Sequence, residues 1–208
     1  VGIGKPPRDQ QLRALIAQTA AKFMVEHGIR DFHAAKMKVA EQLGVANHSH
    51  NMPGNPEIAA AIVAYQRLFR AKTQPLALHH LRSVAVQAMK LLESFDPKLV
   101  GPVLSGHADQ FSEVNLHVFS ETSEAVAVFL LNRRIPYRID ECRLKVNAHR
   151  PMIFPVYHLS LDQTPIEVIV FDQGESRQAP LSSVDGRPMA RASLRQVEKL
   201  LADAIDSI

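Results

Sequence analysis

The hydrophobic period of this chain is helical over its first 95 residues. At Asp96-Pro97 the 3.6-residue repeat of helices gives way to the two-residue repeat of strands. A chain with its helices first and its strands after folds as α+β or as two separate domains. Before the break, residues 9–27 carry Leu12, Leu15, Ile16, Phe23 and Met24 at helical spacing, with Gly28 placed to end the run. Asp31 is a good N-cap for a second helix reaching Gly44, and Asn55-Pro56 supplies an N-cap and a first-turn proline for a third. That third stripe holds Ile58, Ala61, Ile62, Tyr65, Leu68 and Phe69, and a fourth helix is expected over 75–95. After the break, residues 98–104 are short and apolar. Residues 113–119 alternate, with Val114, Leu116 and Val118 on one side and Glu113, Asn115 and His117 on the other, as a half-buried strand does. Residues 123–132 return to helical spacing. Strands are expected at 137–146, 152–161 and 166–171, the last two joined by a hairpin turn within 161–165. A polar loop, 174–192, and a helix, 193–205, complete the chain. The expected fold is α+β, with a helical region at 1–95 and a small mixed β-sheet with helices on one face at 96–208.

Composition narrows the function classes. Of 208 residues, 46% are hydrophobic and 22% charged, which argues against wholesale disorder. No apolar run approaches the ~18 residues of a membrane span, so no membrane partner is expected. The single cysteine, Cys142, excludes an internal disulfide and a cysteine zinc cluster. Residues 1–13 show no apolar core of a signal peptide, and the expected location is cytoplasmic. Charge is uneven: residues 1–74 hold ten basic and five acidic side chains, residues 75–208 fourteen and sixteen. A basic front half is compatible with a polyanion such as nucleic acid, but the charge signal is weak and a solvated helical surface with scattered Lys and Arg is the simpler reading.

The chemistry-bearing stretch is 101–118. Alternate residues of a strand share a face, so Glu113 and Asn115 can offer oxygens to one cation. Glu167, the one acid within 166–171, supplies a third oxygen if the two strands are neighbours, and hard cations such as Mg²⁺ prefer such a set. The alternative is that Glu113 and Asn115 form the solvent face of an ordinary edge strand, and that the glycines only form turns.

Gly101, Gly106 and Ser112-Glu113-Val114-Asn115-Leu116 resemble the signature of the nucleotidyltransferase superfamily, the group with the DNA polymerase beta-like palm, and within it a bacterial nucleotidyltransferase-like branch. That signature has Gly-Ser after a first strand, Ser-Asp-Ile-Asp-Leu further on, and a third aspartate on a later strand. The resemblance covers residues 97–172 and implies a sheet of nucleotidyltransferase type. It implies Glu113, Asn115 and Glu167 as catalytic and Mg²⁺-holding residues, with Gly101, Ser105, Gly106 and Ser112 near the nucleotide. The chain departs from the pattern in three places. Pro102 stands for the serine and offers neither hydroxyl nor N–H. Glu113 is a methylene longer than aspartate, and Asn115 is neutral. Two close divalent metals need anionic ligands between them, so the expectation is weakened or lost catalysis and a module that binds a nucleotide, a nucleic acid or a protein. The alternative is an active Mg²⁺-dependent enzyme moving a nucleotidyl group from an NTP to a hydroxyl.

Other candidates read as structural. His48 and His50, with His33 upstream, lack a cysteine or acid to complete a zinc site. His79 and His80 point to different sides of a helix. His117 reads as a surface histidine, and Cys142 as packed rather than nucleophilic. Ser182 and Ser183 near Asp185 have no histidine for a triad. Arg133-Arg134 suit a helix C-terminus. The helix bearing Lys36 and Lys38 is followed by a loop too long for a helix-turn-helix.

Overall fold

The computed structural model describes residues 8–29, 31–45, 51–69, 73–146 and 151–205. The chain divides into two compact units, Val1–Lys72 with Ser183–Asp185, and Thr73–Ser182 with Gly186–Ile208.

Among the described residues, the first unit contains three helices, α1 (Arg8–His27), α2 (Phe32–Gln42) and α3 (Asn55–Phe69). Asp31 caps α2 as expected, its carboxylate accepting from the His33 and Ala34 N–H groups at 2.8 and 3.1 Å. The start of α3 differs by one residue. Gly54, not Asn55, is the cap, and Glu57 reaches back to its N–H at 2.7 Å, the reciprocal half of a capping box. The same carboxylate receives Arg13 in a two-pronged pair, both contacts 2.7 Å, tying α1 to α3. Ile16, Ala20, Ala21, Val39 and Ile58 close the core of this unit. His48 and His50 lie outside the described residues.

The second unit runs α4 (Gln74–Leu91), β1 (Lys98–Val100), α5 (Gly101–Ser105), β2 (Val114–Ser120), α6 (Ser123–Asn132), β3 (Tyr137–Lys145), β4 (Pro151–Leu161), β5 (Thr164–Asp172) and α7 (Leu194–Ile205). It is an α+β unit whose five strands lie in the order β1-β2-β5-β4-β3. β2 and β5 are parallel, and every other pairing is antiparallel. The periodicity break at Asp96 marks where strands begin, whereas the compact unit begins at Thr73, because α4 packs on the sheet with Leu81, Val84, Ala85 and Met89. The short apolar run 98–104 divides at Gly101: β1 takes its first three residues, and the rest turns into α5.

The faces of the sheet are unequal. One face carries Val114, Leu116, Val118, Ile166, Val168 and Val170 into a core with α4, α5, α6 and α7. Each such buried aliphatic side chain contributes about 1.5–3 kcal/mol. The opposite face has a smaller apolar cluster at one end only, Phe119, Phe154, Val156, Ile169 and Phe171. Beyond β5 the chain leaves by a short 3₁₀ turn. Its Leu181 N–H reaches the Lys145 carbonyl of β3 at 2.6 Å, and Ala192 exchanges two 2.9 Å hydrogen bonds with Leu99 of β1. No described helix is long and apolar enough to cross a membrane.

Candidate functional site

The parallel pairing of β2 and β5 sets the site. Its register places Asn115 directly beside Glu167, and β1 places Val100 on the other flank of Asn115. β4 sets His158 beside Glu167, and β3 sets Arg138 beside His158. Directly paired residues share a face. Val100, Asn115, Glu167, His158 and Arg138 therefore form one row across all five strands, on the face opposite the core with α4, α5, α6 and α7. Glu113 lies one residue ahead of β2, on the Asn115 side of the strand period.

Gly101 closes this end of the row. It turns β1 into α5 with φ +72°, and a Cβ built there would lie 2.8 Å from Asn115 Nδ2. Only glycine meets both demands, a left-handed backbone and so close an approach. The other expected nucleotide-side residues lie elsewhere. Gly106 ends α5 at φ +82° near Leu78 and Arg82, and its carbonyl accepts from Gln74 Nε2 at 2.8 Å. The Ser105 hydroxyl is 3.4 Å from the Pro102 carbonyl and 3.2 Å from His107 Nδ1. The Ser112 hydroxyl is committed to Asp109, accepting from its N–H at 3.0 Å and donating to its carboxylate at 3.2 Å. Ser112 also borders a cavity of about 300 Å³ with His80, Gln110, Asp162 and Thr164, where His80 Nε2 is 3.2 Å from the Thr164 hydroxyl. So the fold gathers Gly101, Asn115 and Glu167, with Glu113 adjoining. Ser105, Gly106 and Ser112 serve turns and loops beside α4.

His117 corrects the sequence reading. It is 1% exposed, not a surface residue. Its ring lies 4.6 Å from that of Phe171, and Arg191 Nε donates to its Nδ1 at 3.1 Å. The guanidinium carbon of Arg191 is 5.0 Å from the ring centres of both Phe119 and Phe171. Burial first, and then the neighbouring arginine, push the His117 pKa down to about 3, so the ring is neutral. An arginine Nε is always a donor, which leaves Nδ1 bare and puts the imidazole proton on Nε2. That buried Nε2, and the buried Oδ1 of Asn115, have no hydrogen-bond partner among the described residues. Each costs about 1–3 kcal/mol in that state.

The sequence did carry a sign of His117's burial. Phe119 continues the Glu113, Asn115, His117 side and is apolar, so that face cannot be wet throughout. Arg191 gave no local sign, because a loop side chain is placed by tertiary contacts alone. Cys142 is half-buried, and burial followed by the Glu167 charge pushes its thiol up to about 11, so it is protonated and packed as expected. Arg133 lies 4.5 Å over the Phe129 ring at the end of α6.

The donor set beside Asn115 is two carboxylates and an amide. Among the described residues, no group of three or more His, Cys, Asp and Glu side chains is placed to share a metal ion. An amide bridge lacks the negative charge that two close divalent cations require, so these residues do not fit a two-metal centre. No protein-family model matches the chain, and no curated protein matches it.

Proposed function

We propose that the second unit is a nucleotidyltransferase-like binding module with weakened or lost catalysis, and that its ligand is a nucleotide. The observation that supports this most is the register Val100–Asn115–Glu167 closed by Gly101. A glycine corner, a polar residue on the next strand and an acid on the one after occur in the order of the superfamily's signature. Asn115 in place of an acid, and Pro102 in place of a hydroxyl, favour binding over transfer. The cytoplasmic setting is part of the same proposal, and a lone unpaired thiol suits a reducing compartment.

A thermal-shift panel of the four NTPs, with EDTA, Mg²⁺ or Mn²⁺, tests this. Binding at a hundred times Kd adds about 2.7 kcal/mol of stability, a readily measured shift. The expected result is a shift that persists in EDTA and is weakened by Asn115→Leu. A shift seen only with divalent metal and abolished by Glu113→Ala supports an active Mg²⁺-dependent transferase instead. A response to RNA alone, steeply salt-dependent, transfers the reading to nucleic acid. No shift with any of these refutes it.

A further inference from the structure

We propose that the cavity between α4 and the β4–β5 turn binds a small alkylammonium, with its nitrogen at Asp162 and its alkyl chain on Leu81. This goes beyond the nucleotide reading, and neither depends on the other. The cavity holds about 300 Å³, the lower end of the range for small-molecule pockets, so its occupant is small. Its walls come from α4, from the loop ahead of β2, and from the two-residue turn 162–163 with the start of β5. Ala77, Leu81 and Pro165 supply apolar surface, and Gln110, Asp162 and Gln163 supply polar groups. Both turn residues are left-handed, Asp162 at φ 48° and Gln163 at φ 62°, where a two-residue hairpin turn favours Asn-Gly. The chain keeps a carboxylate and a long amide there instead, both exposed at the rim of the cavity.

Charge selects the ligand. Among the described residues, no lysine or arginine lines the cavity, and neither Asp162 nor Asp109 makes an ion pair. Asp109 is only 8% exposed. Its carboxylate accepts from the Phe111 N–H at 3.0 Å and from the Ser112 hydroxyl at 3.2 Å, and Ser112 lines the cavity. One carboxylate thus lies a single side chain behind the wall while a second stands at the rim, and a buried charge is stabilised by an opposite one. An anion would meet two carboxylates and no cation. A hard metal ion takes several oxygen ligands, and among the described residues no group of three or more His, Cys, Asp and Glu side chains is placed to share one. A hydroxyl can bond to Asp162 but leaves its charge uncompensated. An ammonium brings the charge and three N–H donors, which the Asp162 carboxylate and the Gln110 and Gln163 side-chain carbonyls can accept. The His80–Thr164 hydrogen bond, 3.2 Å, already matches the remaining polar pair of the lining. An alkyl stem then covers Ala77, Leu81 and Pro165, which neither a bare ammonium ion nor water does.

The experiment is a ¹⁵N-labelled full chain, with the side-chain NH₂ resonances of Gln110 and Gln163 followed by NMR at fixed pH and ionic strength. The probes are n-butylammonium, 1-butanol, butyrate and tetramethylammonium. The expected result is that n-butylammonium moves these resonances to saturation, and that the other three bind at least about tenfold more weakly. Asp162→Asn keeps the size of the side chain and suits the left-handed turn, and it should weaken n-butylammonium binding about tenfold by removing the charge. Ala77→Leu, which fills the cavity, should abolish binding. If 1-butanol binds as tightly as n-butylammonium, or Asp162→Asn leaves binding unchanged, the ammonium site is overturned. A preference for butyrate overturns it by reversing the sign of the charge. Shifts that never saturate, or that tetramethylammonium produces equally, come from ion screening at the surface and overturn it as well.

Discussion

Lowering the pH from 7.5 to 5 should remove about 2 kcal/mol of folding stability through His117 alone. The unfolded imidazole takes its proton near pH 6.5, and the folded one only near 3, where burial and Arg191 hold it. Between those values the unfolded state binds more protons, so stability falls as the pH falls. One pKa unit is 1.36 kcal/mol, and at pH 5 the unfolded imidazole is about 1.5 units into its protonated range while the folded one is still neutral, which gives the figure above. The loss grows toward about 5 kcal/mol near pH 3 and is absent above pH 7. Urea melts at pH steps from 8 to 4, on wild type and on His117→Gln, which cannot titrate, isolate the contribution as the difference between the two curves. The two curves should converge as the pH drops, with wild type losing stability faster. Curves that run parallel, or a folded-state His117 that titrates near 6.5 by NMR, would refute the buried neutral pair.

Gly101→Ala should destabilise the protein by about 1–2 kcal/mol from the left-handed backbone alone, and by more from the contact with Asn115, read as a fall in Tm. An unchanged Tm would mean that the β1–α5 corner relaxes freely. Cys142 should react with iodoacetamide at pH 8 about a hundredfold more slowly than an ordinary thiol, because so little of it is thiolate. In the first unit, Glu57→Gln should cost no more than about 1 kcal/mol, since the Arg13 pair is solvent-exposed. Arg13 holds the Glu57 carboxyl below its usual range, so this contribution is present above the ordinary carboxylate pKa and lost as the pH falls below it. A double-mutant cycle with Arg13→Met measures it.

The sequence stated most of the fold through periodicity. The period change at Asp96, the alternation from Val114 to Val118 and the Asp31 cap are local signals, and the corresponding elements stand where those signals put them. Two local details lie beyond residue type alone. Residues 101–105 are apolar and follow a strand, but Gly101 allows the left-handed turn that starts a helix, and apolar content alone cannot distinguish the two outcomes. At α3, Asn55 is as good a cap by residue type as any, and the choice of Gly54 is made by Glu57, whose carboxylate also answers Arg13 from another helix.

The site was legible only as far as strand neighbours can be guessed. That Asn115 and Glu167 adjoin depends on β2 and β5 pairing across more than forty intervening residues, which no local pattern encodes. The row could be anticipated as a condition, and the register meets it. Arg191 lies further beyond reach. It is placed by the Leu99–Ala192 bridge, and the burial of His117 follows from that placement and from Phe171 rather than from anything near residue 117.

That bridge also decides how the unit meets other chains. A sheet ends in two rows of unpaired backbone groups, each a template on which a stray strand can add. Along β1 the Leu99 groups are already taken by Ala192, so this margin is partly sealed by the chain's own later segment. The other margin, β3, lines up Arg138, Asp140, Glu141, Arg143 and Lys145, all exposed. A copy approaching there must desolvate mixed charges in register before it gains a single ladder bond. The protein thus guards one margin by self-capping and the other by charge, and neutralising substitutions along β3 are where self-association into extended sheets would begin.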